Sequence, residues 1–137
     1  MSQTTKSAHK VLFIGGQPKD WGEAFSEHTH SGKILRGIVK ELNIDAQYLD
    51  LWENADMERD WPYVTEDKYL QIYKYREDGY DVIVLGGKVK KAIIKCNYWH
   101  SPAPLTVFID AFLPHPAARR STDDLKEDIV KVMAKRP

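Results

Sequence analysis

Two continuous apolar runs, each closed by a pair of glycines, constrain this chain most. Val11-Leu12-Phe13-Ile14 runs into Gly15-Gly16, and Tyr80–Leu85 runs into Gly86-Gly87. A strand that is apolar at every position needs cover on both faces, as in a parallel sheet between two helical layers. The segments between these runs carry helical spacing. Ser31 is placed to cap a helix through Leu42, with Ile34, Leu35, Ile38, Val39 and Leu42 on one face and Asn43 to close it. A second strand is expected near Ala46–Leu51, followed by an acidic, Trp-rich loop to Val64. Thr65 caps the next helix, which ends at Gly79 and turns Tyr69, Leu70, Ile72 and Tyr73 inward.

After Gly86-Gly87 a short helix reaches about Lys95, with Val89, Ala92, Ile93 and Cys96 sharing a face. Leu105–Ile109 reads as the fourth strand. A helix from about Thr122 to Ala134 packs Leu125, Ile129, Val132 and Met133 inward, and Asp123 and Asp124 suit its positive end. The order β-α-β-α-β-α-β-α predicts a three-layer α/β/α fold with a four-stranded parallel sheet and right-handed connections. The two wholly apolar strands, Val11–Ile14 and Val82–Leu85, should be central and adjacent. Residues 10–137 read as a single domain behind a loose polar arm, residues 1–9. Ligands of such sheets bind beyond the carboxyl ends of the strands, so the loops after the first and fourth strands are the places to look.

Composition narrows the chemistry. The single cysteine, Cys96, excludes an internal disulfide framework and a multi-cysteine metal or iron–sulfur site within one chain. That implies a reducing, cytoplasmic setting. No apolar run is long enough to span a bilayer, and the N-terminus lacks an apolar signal core. Lysine plus arginine and aspartate plus glutamate both number 20, so a strongly basic nucleic-acid binder is not indicated. The charges are segregated, however. Lys88, Lys90, Lys91 and Lys95 crowd one stretch and Arg119 and Arg120 another, while Glu53 to Asp67 is mostly acidic. Local basic patches bind phosphates even on a neutral protein.

Several loop residues can carry chemistry. In Gly15-Gly16-Gln17-Pro18 the glycines let backbone approach a ligand, Gln17 offers a donor and an acceptor, and Pro18 fixes the turn. The same four residues also suit an ordinary strand-end turn. The segment is neither the dinucleotide fingerprint nor a P-loop. His115 lies between Pro114 and Pro116, which restrict the backbone and aim the imidazole; a stiffened turn with an incidental histidine is the plain alternative. Arg119 and Arg120 precede the last helix, where they either grip a phosphate or sit as solvated surface charges. His28 and His30 invite a metal, but no third ligand accompanies them, so none is expected. Trp21, Phe25, Trp52, Trp61 and Trp99 stack on a base or cap the core.

Taken in order, these pieces resemble the uracil-DNA glycosylase superfamily. The matching residues are Gly15-x-x-Pro18, then Ser31-Gly32-Lys33-Ile34-Leu35 opening a helix, Tyr80–Gly87 before a helix with Ala92, and His115-Pro116-Ala117-Ala118-Arg119 before the final helix. The likeness runs from about Val11 to the end, and the chain would be a short, divergent member. The resemblance implies that the first motif shapes the water and base pocket and that the His-Pro motif stabilises the departing base and contacts DNA. The residue before the motif's proline is often Asp or Asn there. Here it is Gln17, a longer amide that cannot act as a base. The counterpart of an Asn that reads uracil's edge is Asp50, with Asn54 nearby. A carboxylate suits an exocyclic amine better than a carbonyl-rich edge, which points to a base other than plain uracil. His100-Ser101-Pro102 is a rival placement of the His-Pro motif; His115 is preferred because it follows a strand and precedes a helix.

The expectation that follows is a cofactor-free, metal-free DNA glycosylase that flips a deaminated or modified base and cleaves its N-glycosidic bond. Gln17 and His115 are its catalytic residues. Gly15, Gly16, Pro18, Trp21, Phe25, Asp50 and Asn54 form its base pocket, and Pro116, Arg119 and Arg120 its DNA contacts. Two alternatives stand beside it: a non-catalytic nucleic-acid or nucleotide-binding relative, and an N-glycosidase or transferase acting on free nucleosides or nucleotides.

Overall fold

A computed structural model of the chain describes residues 9–16, 25, 29–52, 55–60, 63–96, 103–116 and 122–134. Residues 1–8 of the N-terminal arm lie outside them; its last expected residue, His9, instead opens the first strand, paired with Ile44. In chain order the elements are β1 (His9–Gly15), α1 (His30–Glu41), β2 (Ile44–Asp50), α2 (Ala55–Asp60), α3 (Glu66–Glu77), β3 (Asp81–Leu85), α4 (Gly87–Lys95), a 3₁₀ turn (Leu105–Phe108), β4 (Ala111–Leu113) and α5 (Thr122–Ala134).

The four strands form one parallel sheet in the order β2-β1-β3-β4. The two apolar strands are central and adjacent, as their composition requires. Alternation along them feeds two cores. Leu12, Ile14, Val82 and Val84 pack with Tyr69 and Ile72 of α3 and with Val89, Ala92 and Ile93 of α4. Val11, Phe13, Ile83 and Leu85 pack with Leu35 and Ile38 of α1 and with Leu125, Ile129 and Val132 of α5. The result is three layers, with α3 and α4 on one face and α1 and α5 on the other. Every strand residue from Val11 to Ile14 and from Val82 to Leu85 is fully buried. At about 1.5–3 kcal/mol for each such side chain, these two strands contribute substantially to the fold's stability.

Local chemistry sets the element ends. Thr29, not Ser31, caps α1: its Oγ1 accepts from the Gly32 amide at 3.0 Å, and Ser31 is buried within the first turn. Asn43 follows the helix in the left-handed region (φ 54°), as a terminating Asn should. Thr65 caps α3 as expected, accepting from the Lys68 amide at 3.2 Å. Leu70 does not turn inward; it is 55 % exposed, because it lies off the stripe carrying Tyr69, Ile72 and Tyr73. The acidic stretch read as a loop contains the short helix α2, and Trp52 before it is wholly buried, its indole N–H donating to the Tyr63 carbonyl. Among the described residues no helix is long and apolar enough to cross a membrane.

The fourth strand is displaced from its expected position. Leu105–Phe108 is a 3₁₀ turn, and the strand is the three-residue Ala111–Leu113. Phe108 stands edge-on to Tyr69 and Tyr73, with centroids 5.9 and 5.2 Å away, so this apolar run covers α3 instead of joining the sheet. Asp110 then starts the strand. Its amide donates to the Val82 carbonyl (2.8 Å), while its carboxylate accepts from the Val82 amide (2.7 Å) and from Arg76 (2.6 Å). Nearby, buried Asp81 meets His9, which ties the sheet's amino edge together.

Candidate functional site

A sheet ordered β2-β1-β3-β4 changes winding direction between β1 and β3. In parallel sheets of this kind, ligands bind at such a switch point, beyond the carboxyl ends of the strands. The double glycines end at this candidate crevice.

Beyond the strands, Leu51 and Trp52 amides donate to the Gly15 and Gly16 carbonyls at 3.0 and 2.8 Å, so the β1–β2 pairing runs on into the site. Gly15 sits opposite Asp50 in that register. The Phe25 ring presses on Gly15. A Cβ there would stand 2.8 Å from Phe25 Cε2 and Cζ, and 3.7 Å from Asp50 Oδ1. Only glycine permits this approach. Phe25 itself has left-handed backbone (φ 49°), and its carbonyl accepts from Arg36 Nε at 2.5 Å. The Arg36 guanidinium lies 4.3 Å from the centre of the Tyr48 ring, which also flanks Phe25. A non-glycine residue held at positive φ beside a crevice is a recurring mark of a working site.

Across the switch point, Gly86 has φ 115°, a conformation side chains resist, and its amide donates to the Leu113 carbonyl at 3.0 Å. A Cβ on Gly86 would face His115 Cβ and Cδ2 at 3.9 Å. The His115 and Phe25 rings are 6.2 Å apart between centroids and inclined by 37°. His115 is half-buried and Pro116 buried. Gly15, Phe25, Asp50 and His115 are therefore linked, through the Phe25 ring and the Gly15 backbone, at the carboxyl end of the sheet. Burial pushes the Asp50 carboxyl up to about 6, with Lys68 pulling the other way. Near neutral pH Asp50 is thus poised to change charge.

Gly16 faces a group that sequence reasoning missed. A Cβ there would stand 3.1 Å from Glu58 Oε1 and 3.4 Å from the Trp52 ring. Glu58 is largely buried and lies 3.4 Å from Lys88 Nζ. The only hint in the sequence was the i,i+3 pairing of Asp56 with Arg59 that marks α2 as helical. Trp52 is fully buried and caps the core. Cys96 is packed, and burial pushes its thiol up to about 11, which excludes a thiolate role. Gln17, Pro18, Trp21, Asn54, Arg119 and Arg120 lie outside the described residues, as do His28, Trp61, Trp99 and His100. His30 opens α1. Among the described residues no three His, Cys, Asp or Glu side chains group to hold a metal ion.

The arrangement sets an imidazole (His115) and a titrating carboxyl (Asp50) about the buried Phe25 ring and backbone that lacks side chains. Such a site suits a flat, polar ring. Comparisons with protein-family models, with curated proteins and with solved structures return no match to this chain.

Proposed function

We propose that the chain is a DNA glycosylase-like hydrolase that receives a flipped, deaminated or modified base and cleaves its N-glycosidic bond. The observation that carries the reading is the meeting of Phe25, Asp50 and His115 around Gly15 at the switch point of the sheet. The resemblance to the uracil-DNA glycosylase superfamily includes two of these residues, Gly15 and His115.

The chemistry follows from their types. As the bond from the sugar C1′ to the base nitrogen lengthens, its electron pair moves to the base and positive charge gathers on the sugar. His115 donates to the departing base and holds the negative charge. Gln17 orients water that adds to C1′ and releases a proton. Gln17 cannot take that proton; Glu58, facing Gly16, is the carboxylate best placed to receive it.

Asp50 reads the edge of the base. Ionised, it only accepts hydrogen bonds and favours an exocyclic amine; protonated, it also donates and tolerates a carbonyl. Preference for an amine-bearing base over its keto counterpart should therefore rise with pH through about 6, and Asp50→Asn should flatten the profile. Competing single-turnover reactions across this range check it. Stability follows the same group. Its folded pKa is raised, so its contribution is full below the unfolded value near 3.8 and is lost as pH rises through about 6. Asp50→Asn should raise the melting temperature at pH 8 and leave it unchanged at pH 3.5. An equal gain at both would show that titration of Asp50 is not the cause.

A second reading, hydrolysis or transfer on free nucleosides, is favoured by the two carboxylates flanking the double glycine, Asp50 and Glu58. One experiment separates the two. The protein is incubated with duplexes and single strands carrying modified bases, and in parallel with the matching nucleosides. Abasic sites in the polymer are the expected product. Base release from nucleosides alone would transfer the site to the second reading, and release from neither would leave a binding protein.

A further inference from the structure

Beside the crevice, between α2 and α4, lies a cavity of about 380 Å³ whose lining includes Trp52, Arg59, Tyr63, Lys88, Lys91 and Lys95. The three lysines recur at i, i+3 and i+7, which places them on one side of α4. All three are exposed. Lys90, the fourth lysine of this stretch, points elsewhere, over the Phe112 ring. Among the described residues Glu58 is the one carboxylate of the lining; it lies near Lys88 and at the Gly16 end, and Arg59 pairs with Asp56 of α2. The groove is therefore cationic in a protein of zero formal net charge. Its floor is the buried Trp52. Its rim carries the Tyr63 side chain, 51 % exposed, whose backbone carbonyl is fixed by the Trp52 indole.

We infer that this groove binds single-stranded DNA, specifically the strand flanking the nucleotide held in the crevice. Three features select that occupant. The lysines match a polyanion. From Lys88 to Lys95 the helix advances about 10 Å, the length of about three stacked nucleotides. An exposed tyrosine beside them gives a base a face to stack on, which a duplex with its bases paired inside does not use. The groove also begins where the crevice ends, because Glu58 and Trp52 are the neighbours of Gly16. The word "flanking" rests on the proposed function; binding of a single strand does not.

The test uses a short fluorescent oligothymidylate, with no modified base, and anisotropy at two salt concentrations. Unlabelled duplex and inorganic polyphosphate serve as competitors. The variant Lys88→Gln/Lys91→Gln/Lys95→Gln should bind at least tenfold more weakly at low salt, and its slope of log affinity against log salt should fall by about 2. Tyr63→Ala should weaken oligothymidylate binding about tenfold while leaving displacement by polyphosphate unchanged. Matched melting curves should show both variants folded, since every replaced side chain is exposed. Parent-like binding by the lysine variant overturns the inference. So does a silent Tyr63→Ala, or a duplex that competes better than single strand, either of which would assign the groove to phosphates alone. The two readings fail separately. Groove binding without excision of any base sinks only the glycosylase; excision with parent-like binding by the groove variants sinks only the groove.

Discussion

His115→Ala should slow base release by about 10²–10³ while leaving the affinity for DNA nearly unchanged. The magnitude is that of removing one electrostatic group aimed at charge that develops in the transition state. His115 stands 6.2 Å from Phe25 between ring centroids and against Gly86, on the side of the crevice opposite Asp50's strand. A base seated beside Phe25 would present its departing nitrogen to that imidazole. In the ground state the base is neutral and the imidazole gains little from it, so binding barely depends on His115. As the glycosidic bond breaks, the base becomes anionic and the hydrogen bond becomes charge-assisted. His115→Gln, which keeps a donor, should recover part of the loss. His115 is half-buried, and even a Cβ built on Gly86 would stand 3.9 Å from it, so removing the ring should leave the fold intact. Single-turnover base release beside binding isotherms is the measurement. Release at the parent rate would mean that the base leaves without this group, and the nucleoside or binding reading would replace the glycosylase.

The parts of this molecule that the sequence displays are those governed by local pattern. Val11–Ile14 and Val82–Leu85 are apolar at every position, and such runs have few homes besides the middle of a parallel sheet. The faces of α1, α4 and α5 follow from helical spacing, and Thr65 caps α3 by its own hydroxyl. What escapes is what tertiary contacts decide. Leu105–Phe108 has the composition of a strand, yet Phe108 gains more by packing on Tyr69 and Tyr73 than by lengthening an edge that Asp110 already starts. The acidic segment containing α2 looks like a solvated loop, because only the fold reveals that Glu58 is held against Gly16. Within the crevice, Gly15, Phe25, Asp50 and His115 were each legible as candidates. Their convergence was legible only through the rule that ligands gather at strand ends. The intimacy of Phe25 with Gly15 had no signature beyond the glycine itself.

That intimacy makes Gly15 the position where the smallest change should do most damage. Its backbone is ordinary extended strand, so alanine brings no conformational penalty. The penalty is steric: the new methyl would lie 2.8 Å from two Phe25 ring carbons, a distance at which something must move. The neighbours leave little room. Asp50 Oδ1 is 3.7 Å from the same point, and Tyr48 and His115 flank the ring. Gly15→Ala should therefore cost about 1–3 kcal/mol of stability, the usual range for overpacking. It should also displace the Phe25 ring and abolish measurable base release. A double-mutant cycle assigns the cause. In a Phe25→Leu background the same Gly15→Ala change should cost less than about 1 kcal/mol, because the shorter side chain yields to the methyl. Base release should stay absent in the double variant, since the flat ring is gone. Gly37→Ala is the matched control. It lies inside α1 with open space around it and should stabilise by up to about 1 kcal/mol. Urea denaturation and single-turnover release, measured on all five proteins, carry the decision. Equal costs for Gly15→Ala with and without the phenyl ring would show that Phe25 does not rest on Gly15. The crevice would then lose its aromatic neighbour and the glycosylase reading its foundation.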